Sequence, residues 1–133
     1  YAVLCVQGGC QPYGALVAFA WCDDIWTAST QGGAATRVTM HPAEDAQPYF
    51  SPDGQQIAFT SDRAGTPQIY IVDADGLNVR RVSWSGSYNE SAAWSPRGDL
   101  LAYASRIDGR FEIVETGSYP PSPPSRFIVA PKA

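Results

Sequence analysis

A repeat of 44 residues constrains this chain more than any single motif in it. Ser51-Pro52-Asp53-Gly54 returns 44 positions later as Ser95-Pro96-Arg97-Gly98. The same offset relates Ile57-Ala58-Phe59 to Leu101-Ala102-Tyr103, Gln68-Ile69 to Glu112-Ile113, and Tyr49-Phe50 to Ala93-Trp94. Upstream, Gln11-Pro12-Tyr13-Gly14 and Val17-Ala18-Phe19 stand 40 positions before their counterparts. The offset returns to 44 beyond a shorter loop, where Ile25-Trp26 matches Ile69-Tyr70, Gly32 matches Gly76, and Arg37-Val38 matches Arg81-Val82. Three copies fill the 133 residues, and the first is the most diverged. A period of this length marks stacked supersecondary units, each needing a neighbour to cover its faces.

Inside one copy the apolar period is two. Ile57 and Phe59 fall on one face and Ala58 and Thr60 on the other, so the elements are strands. Four strands are predicted per copy, in the second at 47–50, 56–61, 68–73 and 79–83. Pro52 presets φ for the first turn and Gly54 supplies φ > 0, and Asp73-Ala74-Asp75-Gly76 makes the next reversal in the same way. The expected fold is all-β: about three four-stranded antiparallel meanders of propeller-blade size, forming a partial propeller or half of a six-bladed ring. The chain reads as one partial propeller over 1–133, with blades near 6–39, 46–83 and 90–129 and a proline-rich connector at 118–125. Ala58 and Ala102 are expected where sheets approach closely, and Phe50, Phe59, Trp94 and Tyr103 between sheets. Trp21, Trp26 and Trp84 are assigned to the same inter-blade packing.

Composition narrows the class further. Charged residues are 17% and hydrophobic ones 44%, which argues against disorder, while 12 glycines and 11 prolines fit frequent turns. A net charge of −4 argues against a phosphate-tracking nucleic-acid binder. No run reaches the roughly 18 apolar residues of a membrane span, so no membrane insertion is expected. The chain begins at Tyr1 without the pattern of a secretory leader, so a removed leader or a longer parent chain is expected. Cys5, Cys10 and Cys22 lack zinc-site spacing and are read as buried free thiols.

The stretch Phe50-Ser51-Pro52-Asp53-Gly54-Gln55-Gln56-Ile57-Ala58-Phe59-Thr60-Ser61-Asp62-Arg63, with Gln68-Ile69-Tyr70-Ile71-Val72-Asp73-Ala74-Asp75-Gly76, resembles the β-propeller repeats of the TolB family. Ser87-Tyr88-Asn89-Glu90-Ser91 before Trp94-Ser95-Pro96, and Ser105-Arg106-Ile107-Asp108-Gly109-Arg110-Phe111, are similar to the TolB version. Asp23-Asp24-Ile25-Trp26 and Thr39-Met40-His41-Pro42-Ala43-Glu44-Asp45 look more like repeats of tricorn-type peptidases, and prolyl-oligopeptidase propellers carry similar units. The resemblance spans roughly 11–116. The TolB side implies a periplasmic or secreted protein-binding module; the peptidase side implies a propeller whose catalysis resides in another domain.

Catalytic apparatus is sparse in the residues themselves. Gly-x-Ser-x-Gly is absent, and Ser85-Gly86-Ser87 falls in an inter-blade loop. His41, the sole histidine, precedes Pro42 and reads as a loop residue. Asp73-Ala74-Asp75-Gly76 lacks the downstream carboxylate of a calcium loop. Asp23-Asp24 reads as a solvated pair in a short hairpin. No catalytic, cofactor or metal residues are assigned.

Strand alternation sends the loops between second and third strands, and those between blades, to one rim. That rim carries the candidate partner-binding residues His41, Glu44, Asp45, Asp62, Arg63, Tyr88, Asn89, Glu90, Arg106, Asp108 and Arg110. The expected function is a noncatalytic protein-binding or scaffold module, with the propeller portion of a tricorn-like or prolyl-oligopeptidase-like peptidase as the alternative. The expected partners are a protein or peptide, together with a second copy or further blades to close the ring, since closed propellers use about four to eight blades.

Overall fold

The computed structural model describes residues 10–117 and 125–127. These residues contain twelve strands and no helix, so no helix among them is long and apolar enough to cross a membrane. The first sheet is β1 (Cys10–Tyr13), β2 (Leu16–Trp21), β3 (Asp24–Ser29) and β4 (Thr36–Arg37). The second is β5 (Asp45–Phe50), β6 (Gln56–Ser61), β7 (Gln68–Asp73) and β8 (Arg80–Arg81). The third is β9 (Asn89–Trp94), β10 (Leu100–Ile107), β11 (Arg110–Gly117) and β12 (Ser125–Phe127). Each sheet is an antiparallel meander in chain order. The two central strands of the second sheet coincide with their predicted ranges, whereas the outermost shrinks to two residues. Most of the proline-rich connector, 118–124, lies outside the described residues.

The second sheet explains why the repeat needs neighbours. Phe50, Ile57, Phe59, Tyr70 and Val72 pack with Ala18, Ala20, Ile25 and Val38 of the first sheet. From its other side, Ala58, Ile69, Ile71 and Val82 pack with Ala92, Trp94, Leu101, Tyr103 and Val114 of the third. Adjacent residues of one strand thus serve different interfaces, because a pleated strand points alternate side chains to opposite faces. Ala58 is fully buried where the third sheet approaches. Ala102 is only half-buried, since it lies on the face of the third sheet turned away from the second.

Trp94 behaves as expected: it is 7% exposed, and its indole N–H donates to the Tyr49 carbonyl at 2.9 Å, tying the third sheet to the second. Trp21 and Trp84 correct the packing assignment, being 56% and 68% exposed. Trp84 follows the short outermost strand β8, and the Arg81 guanidinium covers its ring at 4.3 Å. Trp21 ends β2 at a two-residue turn, and Trp26 is half-buried with its indole N–H donating to the Trp21 carbonyl. Cys22, in that turn, is an exposed free thiol and not a buried one. The side chains of Cys5 and Cys10 lie outside the description.

The turns reuse one device with exchanged residues. The Ser51 hydroxyl donates to Asp53 Oδ1 at 2.6 Å and accepts from the Gln56 amide, with Gly54 at φ +71°. That hydrogen bond, helped by the Gln55 amide, holds the Asp53 carboxyl below its ordinary value. In the third sheet Arg97 replaces Asp53, and Asp99 takes over as acceptor for Ser95 at 2.9 Å. The innermost strands share a bulge that periodicity does not reveal. Ala46 faces Thr60 and Tyr49 faces Ala58, leaving Gln47 and Pro48 opposite Phe59 alone. The same irregularity recurs 44 residues on, and Gln47 and Ser91 both take positive φ, 54° and 59°. Gln47 Oε1 accepts from Thr60 Oγ1 at 2.8 Å and from the Ser91 amide at 3.0 Å, so one blade's bulge anchors the next.

Burial raises the pKa of the Tyr103 phenol above its ordinary 10.0. A raised native value means the folded protein holds this proton longer than the unfolded chain. The contribution is therefore complete below pH 10 and is lost as pH climbs through the native value. Urea unfolding at pH 9 and pH 11 is expected to show a loss of stability that becomes smaller in Tyr103→Phe. An unchanged loss in the variant would assign the alkaline limb to other groups.

Candidate functional site

Five segments meet at one rim: the turn Cys22-Asp23, the loop 62–67, the turn Asp108-Gly109, and the inter-blade passages 38–44 and 82–88. The candidate residues on this rim divide by burial into a framework and a surface. Asp45 is fully buried, and Arg63 Nη2 reaches both its carboxylate oxygens at 3.0 Å. Arg63 Nε donates to Ser61 Oγ, while the guanidinium carbon lies 5.4 Å from the Phe59 ring centre and 4.9 Å from that of Tyr70. Asn89 is also fully buried; its Nδ2 donates to Gln68 Oε1 at 2.7 Å and to the Ser85 carbonyl at 2.9 Å. Asp45, Arg63 and Asn89 are thus drawn off the exposed surface of the rim and hold its loops. Their placement follows from position: 45 and 89 open the innermost strands, where they meet the preceding blade, the Asp45 amide donating to the Asp23 carbonyl and the Asn89 amide to the Pro67 carbonyl.

The repeat makes the exchange between blades legible. At the offset of 44, Asp45 and Arg63 correspond to Asn89 and Ile107. The third blade has lost both charges together, which avoids leaving one buried and unpaired. Asn89 Oδ1 and Ser105 Oγ remain buried without hydrogen-bond partners among the described residues. Gly86 packs against them at φ +79°, and a Cβ there would stand 2.4 Å from Ser105 Oγ.

Asp24 also departs from expectation, being 4% exposed and ion-paired with Arg37. Arg37 further donates Nε to the Thr39 carbonyl, as Arg81 does to that of Ser83. Thr39 and Ser83 in turn accept from the Ile25 and Ile69 amides. The pair Asp24–Arg37 is therefore part of the repeated outer-strand lock. The Asp73-Ala74-Asp75-Gly76 segment forms a turn closed by Gly76 N–H to the Asp73 carbonyl at 2.8 Å. Among the described residues, no three His, Cys, Asp or Glu gather in a way that would hold a metal ion.

His41, Glu44, Asp62, Arg106, Asp108 and Arg110 are exposed, and Tyr88 and Glu90 are half-buried. His41 Nδ1 accepts from the Ala43 amide, fixing the imidazole to its own loop. Glu44 and Asp62 are clipped together, the Glu44 amide donating to Asp62 Oδ1 at 3.0 Å and the Asp62 amide to the Glu44 carbonyl at 3.3 Å. The Tyr88 ring meets Phe111 edge-on at 6.0 Å, and the Arg106 amide donates to the Tyr88 carbonyl. Glu44, Asp62, Tyr88 and Glu90 converge on a cleft of about 130 Å³ between the second and third blades. Arg106, Asp108 and Arg110 belong to the β10–β11 hairpin instead. Sequence reasoning missed Gln47, Thr60 and Pro67, which also line the cleft. The available signal was loop length: the first copy turns in two residues where the second uses six.

Comparison with known proteins adds family evidence to this geometry. Residues 11–116 match the model of the tricorn protease N-terminal β-propeller domain. Tricorn protease homolog 1 of Streptomyces coelicolor is 36% identical over 92 residues, covering 68% of this chain and 9% of that protein. The Tol-Pal system protein TolB of Bordetella pertussis is 49% identical over 53 residues, 39% of this chain and 12% of its own length. The solved structure of putative TolB from Agrobacterium tumefaciens superposes with a TM-score of 0.78 at 22% identity, covering 93% of this chain and 50% of the other. The chain thus spans under an eighth of one curated relative and under a tenth of the other.

Proposed function

The chain belongs to the tricorn protease N-terminal β-propeller family, and from that premise we propose that it is a noncatalytic scaffold segment whose loop-bearing rim binds a protein or peptide. The carrying observation is the division of the rim into a buried lock, Asp45–Arg63 and Asn89–Gln68, and an exposed set held by it. Rigidly held loops with varied polar side chains are where recognition ordinarily resides. A nucleic-acid partner does not fit the net charge of −4.

The test is alanine replacement of Glu44, Tyr88, Arg106 and Arg110 together, with the buried lock left intact. Partner capture by the parent chain, read by cross-linking and mass spectrometry, is expected to fall at least tenfold in the variant. Undiminished capture by a folded variant would remove this rim from recognition.

The match to a tricorn protease homologue favours a second reading, in which the segment serves a peptidase whose catalytic region lies elsewhere in a longer polypeptide. Sequencing the gene beyond both ends separates the readings. A catalytic domain supports the peptidase, and further repeats behind a small amino-terminal domain support the TolB type. A periplasmic location belongs only to the TolB reading and is tested by cell fractionation.

Ring completion by further blades of the same repeat is part of this proposal. The outer face of the third sheet presents Ala102, Ala104 and Ile113 where the second sheet presents Ala58, Thr60 and Ile69 to its neighbour. Phe111 and Ile113 on this sheet are 51% and 37% exposed. Light scattering of the isolated chain is expected to give a monomer that self-associates only weakly; a stable dimer would instead make a second copy the completing element.

A further inference from the structure

We propose that the cleft between the second and third blades receives a basic side chain, arginine or lysine, from the protein or peptide partner; this rests on the rim-binding reading and specifies its chemistry. The walls come from both blades. Ala46, Pro67 and Tyr88 supply apolar and aromatic surface, and Glu44, Asp62 and Glu90 supply carboxylates. Among the described residues none of these three carboxylates enters an ion pair. The nearby cation, Arg63, is 14% exposed at its side chain and is committed to Asp45 behind the wall. The cleft therefore presents uncompensated negative charge beside a half-buried aromatic ring, a combination that complements an ammonium or guanidinium carried on an apolar stem.

Size narrows the occupant. About 130 Å³ is well below the roughly 300–1,000 Å³ of small-molecule pockets, and it suits the end of one side chain. The floor is fixed in advance, because Gln47 Oε1 is held by Thr60 Oγ1 and the Ser91 amide. The Glu44–Asp62 clip fixes one wall in the same way. Little ordering is left for the moment of binding, which favours recognition by a short segment.

The experiment is an amide chemical-shift titration of the labelled chain at low ionic strength with acetyl-Gly-Ala-Arg-Ala-Gly-amide. The glutamine-centred peptide is the neutral control. The arginine peptide is expected to shift the amides of Glu44, Asp62, Tyr88 and Glu90, and Glu90→Gln, checked for folding by its spectrum, to weaken binding about three- to tenfold. Raising the ionic strength is expected to weaken it further. Equal shifts with the glutamine peptide, or shifts confined to other parts of the chain, would overturn the proposal. If an acidic peptide shifts Arg106 and Arg110 while the cleft stays silent to arginine, the cleft proposal fails and rim recognition stands. Silence of the whole rim to every peptide would refute both.

Discussion

Trp94→Ala is expected to lower the free energy of unfolding by about 3–5 kcal/mol, measured by urea denaturation. Trp94 lies between the second and third sheets among Ala58, Ile69, Ile71 and Leu101, so truncation leaves a void bounded by two sheets that cannot easily close on it. It also removes the indole N–H bond to the Tyr49 carbonyl. Trp94→Phe separates the two effects. It keeps most of the ring, loses the donor, and is expected to cost about 1–2 kcal/mol. A loss below about 1 kcal/mol in Trp94→Ala would show that the second and third sheets are not held together at this point.

Breaking the buried ion pair is the second large effect. Asp45→Ala and Arg63→Ala are each expected to cost about 3–5 kcal/mol, because each leaves a charge without its partner in a desolvated site. The third blade indicates the remedy. The double variant Asp45→Asn with Arg63→Ile installs the pair found at positions 89 and 107, and it is expected to recover most of either single loss. Coupling of this kind is read from a double-mutant cycle. Strict additivity of Asp45→Asn and Arg63→Ile would mean that the two side chains act independently and that the joint exchange between blades has another origin.

The sheets were legible in the sequence because the period of two and the period of 44 agree. Ile57, Ala58 and Phe59 each took the face their alternation implied. The bulge at Gln47 was not legible, since Gln and Ser are unexceptional residues whose positive φ is imposed by the bulge opposite Phe59 and Tyr103. Trp21 and Trp84 misled for a related reason: repeat logic assigns an aromatic to an interface, but Trp21 sits at the rim end of β2 and Trp84 just past the shortened β8, and both rings are more than half exposed. Charge alone could not tell the surface set from the lock on the rim. Asp45 and Asp62 have the same side chain, and only the contact with the preceding blade and with Arg63 sets the buried one apart from the exposed one.

The two faces of the second sheet carry a consequence for how the chain unfolds. Each junction draws on its own set of side chains, Phe59 and Tyr70 for one and Ile69 and Ile71 for the other. The molecule is thus a short linear array, its free energy a sum of unit terms and nearest-neighbour coupling terms. In such an array a lesion at one junction weakens that coupling and leaves the other nearly intact. Heating a variant damaged at Trp94 should therefore produce two separated transitions, the third unit detaching while the first and second remain paired.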